Sequence, residues 1–360
     1  MAPSARAADK ATKPGADVLI FTNGEKLVGT LDHEADGKIY FKSVNVGKVT
    51  VSWSKIQSLH TARPFAVLGK GALVKRHRSN FDVPIGSIAV KGDELTVSTS
   101  GGAQQFPVKS ISYLVDHPMF EKNVLNGQSL WQGITGTVTA GTSLVYSTQN
   151  SRSVNTAVML VRRAPAVTWL PPQGRTSLDF SSNFGQVTQA NTPPVKTNIV
   201  HGSLEQDEYF NRRFYVLQQA VFDHNFSQGL DLQQLYGAGV GYTAIKDSKQ
   251  EFDLTGTVGY TKQQLSGTPE HDLIGSSLGD TYSRNFPRKI VFTEAGAFNP
   301  AWNRLEDYSA NLTTNLSIPI FQGVGFTVGL VDSYLNNPAT GFQGNSVQFN
   351  TGLTFTVGAK

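Results

Sequence analysis

The chain contains no cysteine among its 360 residues, which excludes disulfide bonds and thiolate metal sites. Charged residues are scarce, at 16% against roughly 25% in ordinary soluble domains. No run of about 18 apolar residues occurs, which argues against a membrane-spanning helix. The net charge of +4 is too small to indicate nucleic-acid binding. The seven histidines show no metal-binding spacing, and we predict no cofactor.

Residues 1–16 are rich in alanine, lysine and proline and are predicted to be disordered. They lack the hydrophobic core of a signal peptide, but Ala5-Arg6-Ala7 matches the small-residue pattern of a cleavage site. One interpretation is the remnant of an export signal. The other is an ordinary disordered tail.

From about Trp131 onward, apolar side chains alternate with small or polar ones in segments of about ten residues. In the last segment, apolar residues occupy every second position except 351: Val347, Phe349, Leu353, Phe355 and Val357. Successive side chains of a strand point to opposite faces, so one face is apolar and the other polar. The pattern predicts an all-β chain whose main domain is a transmembrane antiparallel β-barrel.

The number of alternating segments predicts about twelve strands, an even number as in most single-chain bacterial barrels. Both ends of such a barrel lie on one side of the membrane, which places the preceding module in the periplasm. The fourth and eighth segments alternate poorly, so ten or fourteen strands remain open, and a gate, plug or active site is most expected there. The predicted strands begin near Gly133, Ser153, Thr176, Thr197, Arg213, Leu230, Glu251, Asp272, Lys289, Asp307, Val324 and Ser346.

Residues 17–115 read as a small soluble β module, followed by a linker over 116–130 and the barrel over 131–360. Within the module, the pattern of 17–62 is echoed in 67–115; for example, Lys38-Ile39-Tyr40-Phe41 corresponds to Glu94-Leu95-Thr96-Val97. The module is therefore either a duplication of one β unit or a succession of generic hairpins that resemble each other.

The carboxyl-terminal segment resembles the signal by which outer-membrane barrels are recognised for assembly. Asn350 and Gly352 are expected to face the lumen, whereas Phe355 and Val357 are expected to face lipid. The resemblance implies an interaction with the barrel assembly machinery.

Adjacent basic residues near strand ends supply candidate lumen charges at Arg163, Arg213 and Arg288. They would line a constriction that selects anions, or else be solvated at the membrane interface. The run Lys75-Arg76-His77-Arg78 is expected to be a wet loop or to touch acidic headgroups or another envelope component. Gly237, Gly239 and Gly241 share the lumen face, where they would make room for a bulky neighbour or permit sharp curvature rather than bind a ligand.

A lipid-facing hydrolase is a remote alternative. His201-Gly202-Ser203 resembles the H-x-S spacing of the outer-membrane phospholipase family, because residues i and i+2 share a strand face. An orienting amide would also be needed on an adjacent strand, and only Asn211 is nearby in sequence. We therefore predict that the chain is not an enzyme.

Several segments resemble the envelope family called domain of unknown function 481, whose members are often labelled salt-induced outer membrane proteins. The resemblance covers nearly all of the chain after residue 16 and implies an outer-membrane location, with no catalytic residues and no known substrate. Its motifs are Asp17 to Gly29, Trp131-Gln132-Gly133, Asn211-Arg212-Arg213-Phe214-Tyr215, Gly237 to Tyr242, and Asp332-Ser333-Tyr334-Leu335-Asn336-Asn337-Pro338.

The sequence therefore predicts a passive pore or a structural component of the envelope, embedded in outer-membrane lipid. The alternative is a membrane-anchored scaffold whose amino-terminal module binds a periplasmic protein. A third possibility is a soluble array of β-sandwiches that pack their apolar faces together.

Overall fold

The computed structural model describes residues 15–70, 83–125, 128–145, 149–189, 193–247 and 249–358. The chain divides into two compact units, residues 1–128 and 129–360. Residues 1–14 of the predicted disordered tail and the run Lys75 to Arg78 lie outside the described residues. No helix among the described residues is long and apolar enough to cross a membrane.

Six strands of the first unit form a closed ring in the order β1-β5-β7-β6-β10-β2, with β2 pairing back to β1. The hairpins β3-β4 and β8-β9 extend from β2 and β7. The strands are β1 (Asp17–Phe21), β2 (Lys26–Ala35), β3 (Lys38–Ser43), β4 (Gly47–Ser52), β5 (Ile56–His60), β6 (Phe65–Gly69), β7 (Ile85–Lys91), β8 (Glu94–Thr99), β9 (Gly102–Pro107) and β10 (Ile111–Asp116).

The two halves of this unit have the same arrangement. In each half, five strands follow one another and a single turn of 3-10 helix precedes the fifth, at Trp53–Lys55 and Val108–Ser110. The pairings also correspond, since β1 pairs with β2 and β5 as β6 pairs with β7 and β10. The two copies share one apolar core, to which Leu31 and Phe41 contribute from the first half and Val90 and Leu95 from the second.

The segment predicted to be a linker, 116–130, is partly folded. Residues His117–Phe120 form a short helix, α1, and a helical turn continues through Glu121–Leu125. Phe120 and Val124 are buried, so this segment packs as part of the first unit. The division between the two units, after Gln128, falls within the predicted linker.

The second unit is a closed antiparallel barrel of twelve strands in sequential order, which confirms the predicted fold class. The largest error in a predicted strand start is four residues, between Ser153 and the observed Gln149. The strands are β11 (Ile134–Val145), β12 (Gln149–Ala164), β13 (Gly174–Gln189), β14 (Val195–Tyr209), β15 (Phe214–Asn225), β16 (Leu230–Lys246), β17 (Gln250–Leu265), β18 (His271–Asn285), β19 (Val291–Asn299), β20 (Ser309–Phe321), β21 (Val324–Leu335) and β22 (Asn345–Val357).

The outer face of the barrel is apolar and carries two bands of aromatic side chains. We call the end where β11 begins and β22 ends the proximal end, and the opposite end the distal end. Ring contacts link the distal band in the pairs Phe222–Tyr236, Phe298–Tyr308 and Tyr308–Tyr334. The proximal band contains Phe214–Tyr242, Phe252–Tyr282 and Tyr282–Phe292. Aromatic bands at both ends of an apolar wall are typical of membrane barrels.

Candidate functional site: the interior of the twelve-stranded barrel

Alternation along the strands brings polar side chains into the barrel interior. On β22, Ser346 and Thr354 are buried, whereas Phe349 and Phe355 are exposed on the outer face. The inner hydroxyl groups of neighbouring strands bond to one another, as Thr354 Oγ1 does with Thr327 Oγ1 at 2.5 Å and Thr139 Oγ1 at 2.8 Å. The interior is therefore lined by hydrogen-bonding groups, which is the environment a solute pathway or a polar plug requires.

The centre of the proximal interior is Arg175, near the start of β13. Its Nε donates to Asp207 Oδ2 at 2.5 Å and its Nη1 to Asp253 Oδ2 at 2.5 Å, while Nη2 donates to Tyr215 Oη at 3.2 Å. All four side chains are buried. Strand β13 lies four positions from β17, which carries Asp253, so this guanidinium spans the lumen.

A second layer of charge surrounds Arg175. Arg163 Nη2 and Lys246 Nζ each lie 3.1 Å from a Glu251 carboxylate oxygen, and Arg175 itself lies 3.9 Å from Glu205. Strands β12 and β17, joined by the Arg163–Glu251 pair, are five positions apart in a ring of twelve. We call these seven side chains the proximal ion cluster: Arg163, Arg175, Glu205, Asp207, Lys246, Glu251 and Asp253.

Gly241 on β16 makes room for this cluster. A Cβ atom at this position would lie 2.1 Å from two ring atoms of Tyr215, the residue that bonds Arg175. The prediction that the inward glycines accommodate a bulky neighbour is thus confirmed at Gly241. At Gly237 the nearest side-chain atom would be Thr257 Oγ1 at 3.2 Å, a much milder contact.

Further polar contacts cross the middle of the lumen. Asn183 Nδ2 on β13 donates to Gln348 Oε1 at 3.1 Å and to Asn350 Oδ1 at 3.2 Å on β22, three strands away. His201 Nδ1 lies 2.6 Å from Asp223 Oδ1 on the adjacent strand. On the opposite wall, a cavity of about 30 Å³ lined by Thr257, Gln263 and Ser277 among others has room for only a few water molecules.

At the distal end, one turn contacts the opposite side of the barrel. Gln228, in the turn between β15 and β16, donates from Nε2 to the carbonyl oxygens of Ser333 at 2.8 Å and Gly344 at 2.7 Å. Because β21 lies five positions from β16, this side chain reaches across the lumen. An apolar cluster reinforces the contact and comprises Leu230, Leu265, Leu335 and Ala339.

Of the three predicted lumen charges, only Arg163 lies in the interior. Arg213 is an exposed residue before β15 whose Nη1 donates to Tyr242 Oη at 3.2 Å, and Tyr242 belongs to the proximal aromatic band. Arg288 is exposed in the turn between β18 and β19 and has a positive φ of 62°. The positions of Arg213 and Arg288 are thus corrected, because both fall outside the strands.

The predicted selection of anions stays a prediction, but the balance of charge inside the barrel does not favour it. The proximal ion cluster contains four carboxylates and three cationic side chains, so its formal charge is −1. A constriction with excess carboxylate charge favours cations over anions.

The four residues of the predicted assembly signal lie on the expected faces. Asn350 contacts Asn183 inside the barrel and Gly352 is buried, whereas Phe355 and Val357 are exposed on the outer face. The strand geometry is therefore compatible with a lipid-facing edge for recognition during assembly.

The H-x-S spacing does not form the site required by a lipid-facing hydrolase. His201 pairs with the inward Asp223, and Ser203 occupies the same face of β14. Asn211 lies in the next turn, where its Oδ1 accepts from the backbone of Arg213. The lipid-facing position required by the hydrolase alternative is thus wrong, because His201 lies on the lumen face of β14.

The central residues of the proximal ion cluster were missed from the sequence, although a usable pattern exists. Glu205-Gln206-Asp207 and Glu251-Phe252-Asp253 each place two carboxylates on one strand face. When two such pairs occupy the polar, lumen-facing positions of an amphipathic barrel, they indicate buried negative charge that needs a cationic partner. The poorly alternating fourth segment, β14, contributes Glu205 and Asp207, whereas the eighth, β18, contributes no charge to the cluster.

Residues 138–357 match the model of a protein family described as "Protein of unknown function, DUF481". The chain belongs to this family. The match covers β12 to β22 and most of β11, so membership rests on the barrel. No curated protein matches the chain.

Among solved structures, the chain is similar to an outer membrane channel from Pseudomonas putida F1. The two chains are 11% identical, with a TM-score of 0.36, and the match covers 64% of this chain and 97% of the channel. The chain is also similar to the β domain of the Bordetella autotransporter BrkA, with 8% identity and a TM-score of 0.26, covering 62% of this chain and 97% of that one.

Proposed function

We propose that the chain is an outer-membrane β-barrel protein that acts as a structural component of the envelope, with a lumen closed to solutes in this conformation. The observation that carries the proposal is that side chains cross the lumen at both ends. Arg163 joins Glu251 at the proximal end, and Gln228 joins Ser333 and Gly344 at the distal end.

The outer-membrane location is supported by the barrel itself. A closed barrel leaves no unpaired strand edge and can therefore enter a bilayer. Its outer face presents apolar side chains between two aromatic bands, the arrangement that a lipid environment stabilises. The last strand presents Phe355 and Val357 outward, which suits recognition by the barrel assembly machinery.

Separation of inner and outer membranes on a density gradient tests the location. The full-length protein is expected in the outer-membrane fraction and resistant to extraction with high salt. The closed barrel already rules out the β-sandwich alternative, and recovery in the soluble fraction after detergent-free lysis would overturn the proposed location.

A scaffold function is the second candidate, and the first unit favours it. Strands β4 and β9 each pair with only one neighbour, so each has a free edge among the described residues. A free edge can accept an extended segment of another protein through backbone hydrogen bonds. In the proposed topology the even strand count puts the module in the periplasm, where such a partner would be a periplasmic protein.

Deletion of residues 17–128, which removes β1 to β10 and the helical segment of the first unit, separates the two candidates. A purely structural barrel should assemble without the module and lose no associated protein. A scaffold should lose its co-purifying periplasmic partners while the barrel still reaches the outer membrane.

A further inference from the structure

The two copies of the repeated unit differ sharply at the tips of their outer hairpins. In the first copy, Ser43 pairs with Gly47 and the tip is Val44-Asn45-Val46. In the second copy, Thr99 pairs with Gly102 and the tip is Ser100-Gly101. One molecule thus carries an apolar and a polar version of the same hairpin.

The apolar tip is unusually exposed. Val44 and Val46 have 77% and 63% of their surface accessible, and Val28, 40% accessible, lies beside them, since the amide of Val44 donates to the carbonyl of Val28 at 3.0 Å. Exposed apolar side chains grouped in this way indicate a contact surface.

Two lysines lie at the base of this tip. Lys42 on β3 pairs directly with Lys48 on β4, and like charges at opposed positions destabilise a hairpin. Neither lysine forms an ion pair with another residue that the structure describes. The carboxyl of Asp32 lies within electrostatic reach of Lys48, and its pKa is lowered mainly by its hydrogen bond with His33 and to a smaller extent by Lys48.

The second copy lacks this charge. Ser98 and Ala103 form the equivalent pair on β8 and β9. The apolar tip and the basic pair therefore occur together in one copy and are both missing from the other. Valines flanked by lysines match a surface that is apolar inside and negatively charged at its boundary.

We propose that the Val44-Asn45-Val46 tip inserts into the headgroup region of a bilayer that contains anionic phospholipid, with Lys42 and Lys48 contacting the headgroup phosphates. The inference rests on the proposed outer-membrane location, because the barrel then tethers the module close to a membrane surface. Such tethering turns a weak contact into an intramolecular one with a high effective concentration.

Site-specific fluorescence can test this contact, because the chain has no cysteine and each cysteine variant gives one labelling site. The full-length protein is placed, one chain per disc, in lipid nanodiscs of phosphatidylethanolamine and phosphatidylglycerol that contain a spin-labelled quencher lipid. An environment-sensitive probe is attached in separate variants: N45C at the apolar tip, S100C at the polar tip, and V240C on the outer face of β16.

Strong quenching is expected at 45 and 240, with at least a severalfold weaker effect at 100. The variant K42S/K48A, which installs the residues of the second copy, should reduce quenching at 45 severalfold. Discs made of phosphatidylcholine, which carries no net charge, should likewise reduce quenching at 45 severalfold. The variant V44S/V46S should abolish quenching at 45.

Quenching at 240 but not at 45 overturns the inference and leaves the barrel proposal intact, whereas loss of quenching at 240 contradicts the barrel proposal itself. Quenching at 45 that is insensitive to the lysine variant and to lipid charge also overturns the inference. If the probe at 45 becomes protected from solvent only when several chains share a disc, the tip contacts a second copy of the chain instead of lipid. That result would also overturn the inference.

Discussion

At the scale of single residues, Gly241 is a position where the interior has no room for a larger side chain. The substitution Gly241→Ala should destabilise the barrel by about 1–3 kcal/mol, because the new Cβ would collide with the ring of Tyr215 and disturb its hydrogen bond to Arg175. Urea unfolding of the barrel in lipid vesicles measures this change. Gly256→Ala is the matched control, since its Cβ would meet only Leu278 Cδ2 at 3.9 Å. An equal effect of both substitutions would contradict the packing argument.

Glu34 in the first unit makes the stability of that unit depend on pH. Burial raises the pKa of its carboxyl to about 7, although the amide of Gly37 donates a hydrogen bond to it. A raised pKa means that the folded state favours the protonated form. The stabilisation is fully present below the ordinary pKa of 4.5 and is lost as the pH rises through about 7.

The substitution Glu34→Gln should therefore stabilise the first unit above pH 7, by up to about 3 kcal/mol, and have little effect near pH 4. Unfolding of residues 1–128 can be followed through Trp53, the single tryptophan in that range. Glu25→Gln, at an exposed position between β1 and β2, is the control. A stability difference between Glu34→Gln and the unmodified chain that does not vary with pH would refute the assignment.

At the scale of elements, Arg175 ties β13 to β14, β15 and β17. The substitution Arg175→Gln should destabilise the barrel by about 3–5 kcal/mol, because Asp207 and Asp253 would remain buried without their cationic partner. The midpoint of urea unfolding in vesicles reports the loss. Arg152→Gln, which removes an exposed contact between β12 and Gln186 on β13, should change stability by less than about 0.5 kcal/mol. A small effect at Arg175 would show that the proximal ion cluster does not hold these strands together.

The elements of the barrel could be predicted from the sequence because period-two alternation determines both the strands and their faces. The same rule placed Phe355 outward and Asn350 inward. Alternation could not show that Arg175 pairs with Asp253. That contact depends on how the sheet closes and on which strands face each other across the lumen. Arg213 and Arg288 were misplaced for a related reason: parity holds only within a strand, and both residues lie in turns.

The helical segment after β10 was missed for a different reason. Residues 117–125 have no long amphipathic repeat, and the helical turns are held by burial of Phe120 and Val124 rather than by local propensity. The repetition within the first unit was visible as a weak echo in sequence. Only the pairing of β2 with β10 and of β5 with β7 shows how the two copies interlock.

At the scale of the whole molecule, the proposed topology predicts which turns face the outside of the cell. A cysteine at Thr340, in the exposed distal segment between β21 and β22, should react with a membrane-impermeant maleimide on intact cells. A cysteine at Gln322, in the proximal turn between β20 and β21, should react only after the outer membrane is permeabilised. The reverse pattern would show that the barrel is oriented the other way and that the module is not periplasmic.

The most direct test of the closed barrel is the conductance of the purified, folded, full-length protein in planar lipid bilayers. Contacts of Arg175 with Asp207 and Asp253 at the proximal end, and of Gln228 with Ser333 and Gly344 at the distal end, predict no discrete channel openings. A combined Arg163→Ala, Arg175→Ala and Gln228→Ala variant that still folds should open channels that prefer cations, because it removes the cations that cross the lumen and leaves four carboxylates of the proximal ion cluster against Lys246. Stepwise, stable openings of the unmodified protein would contradict the account.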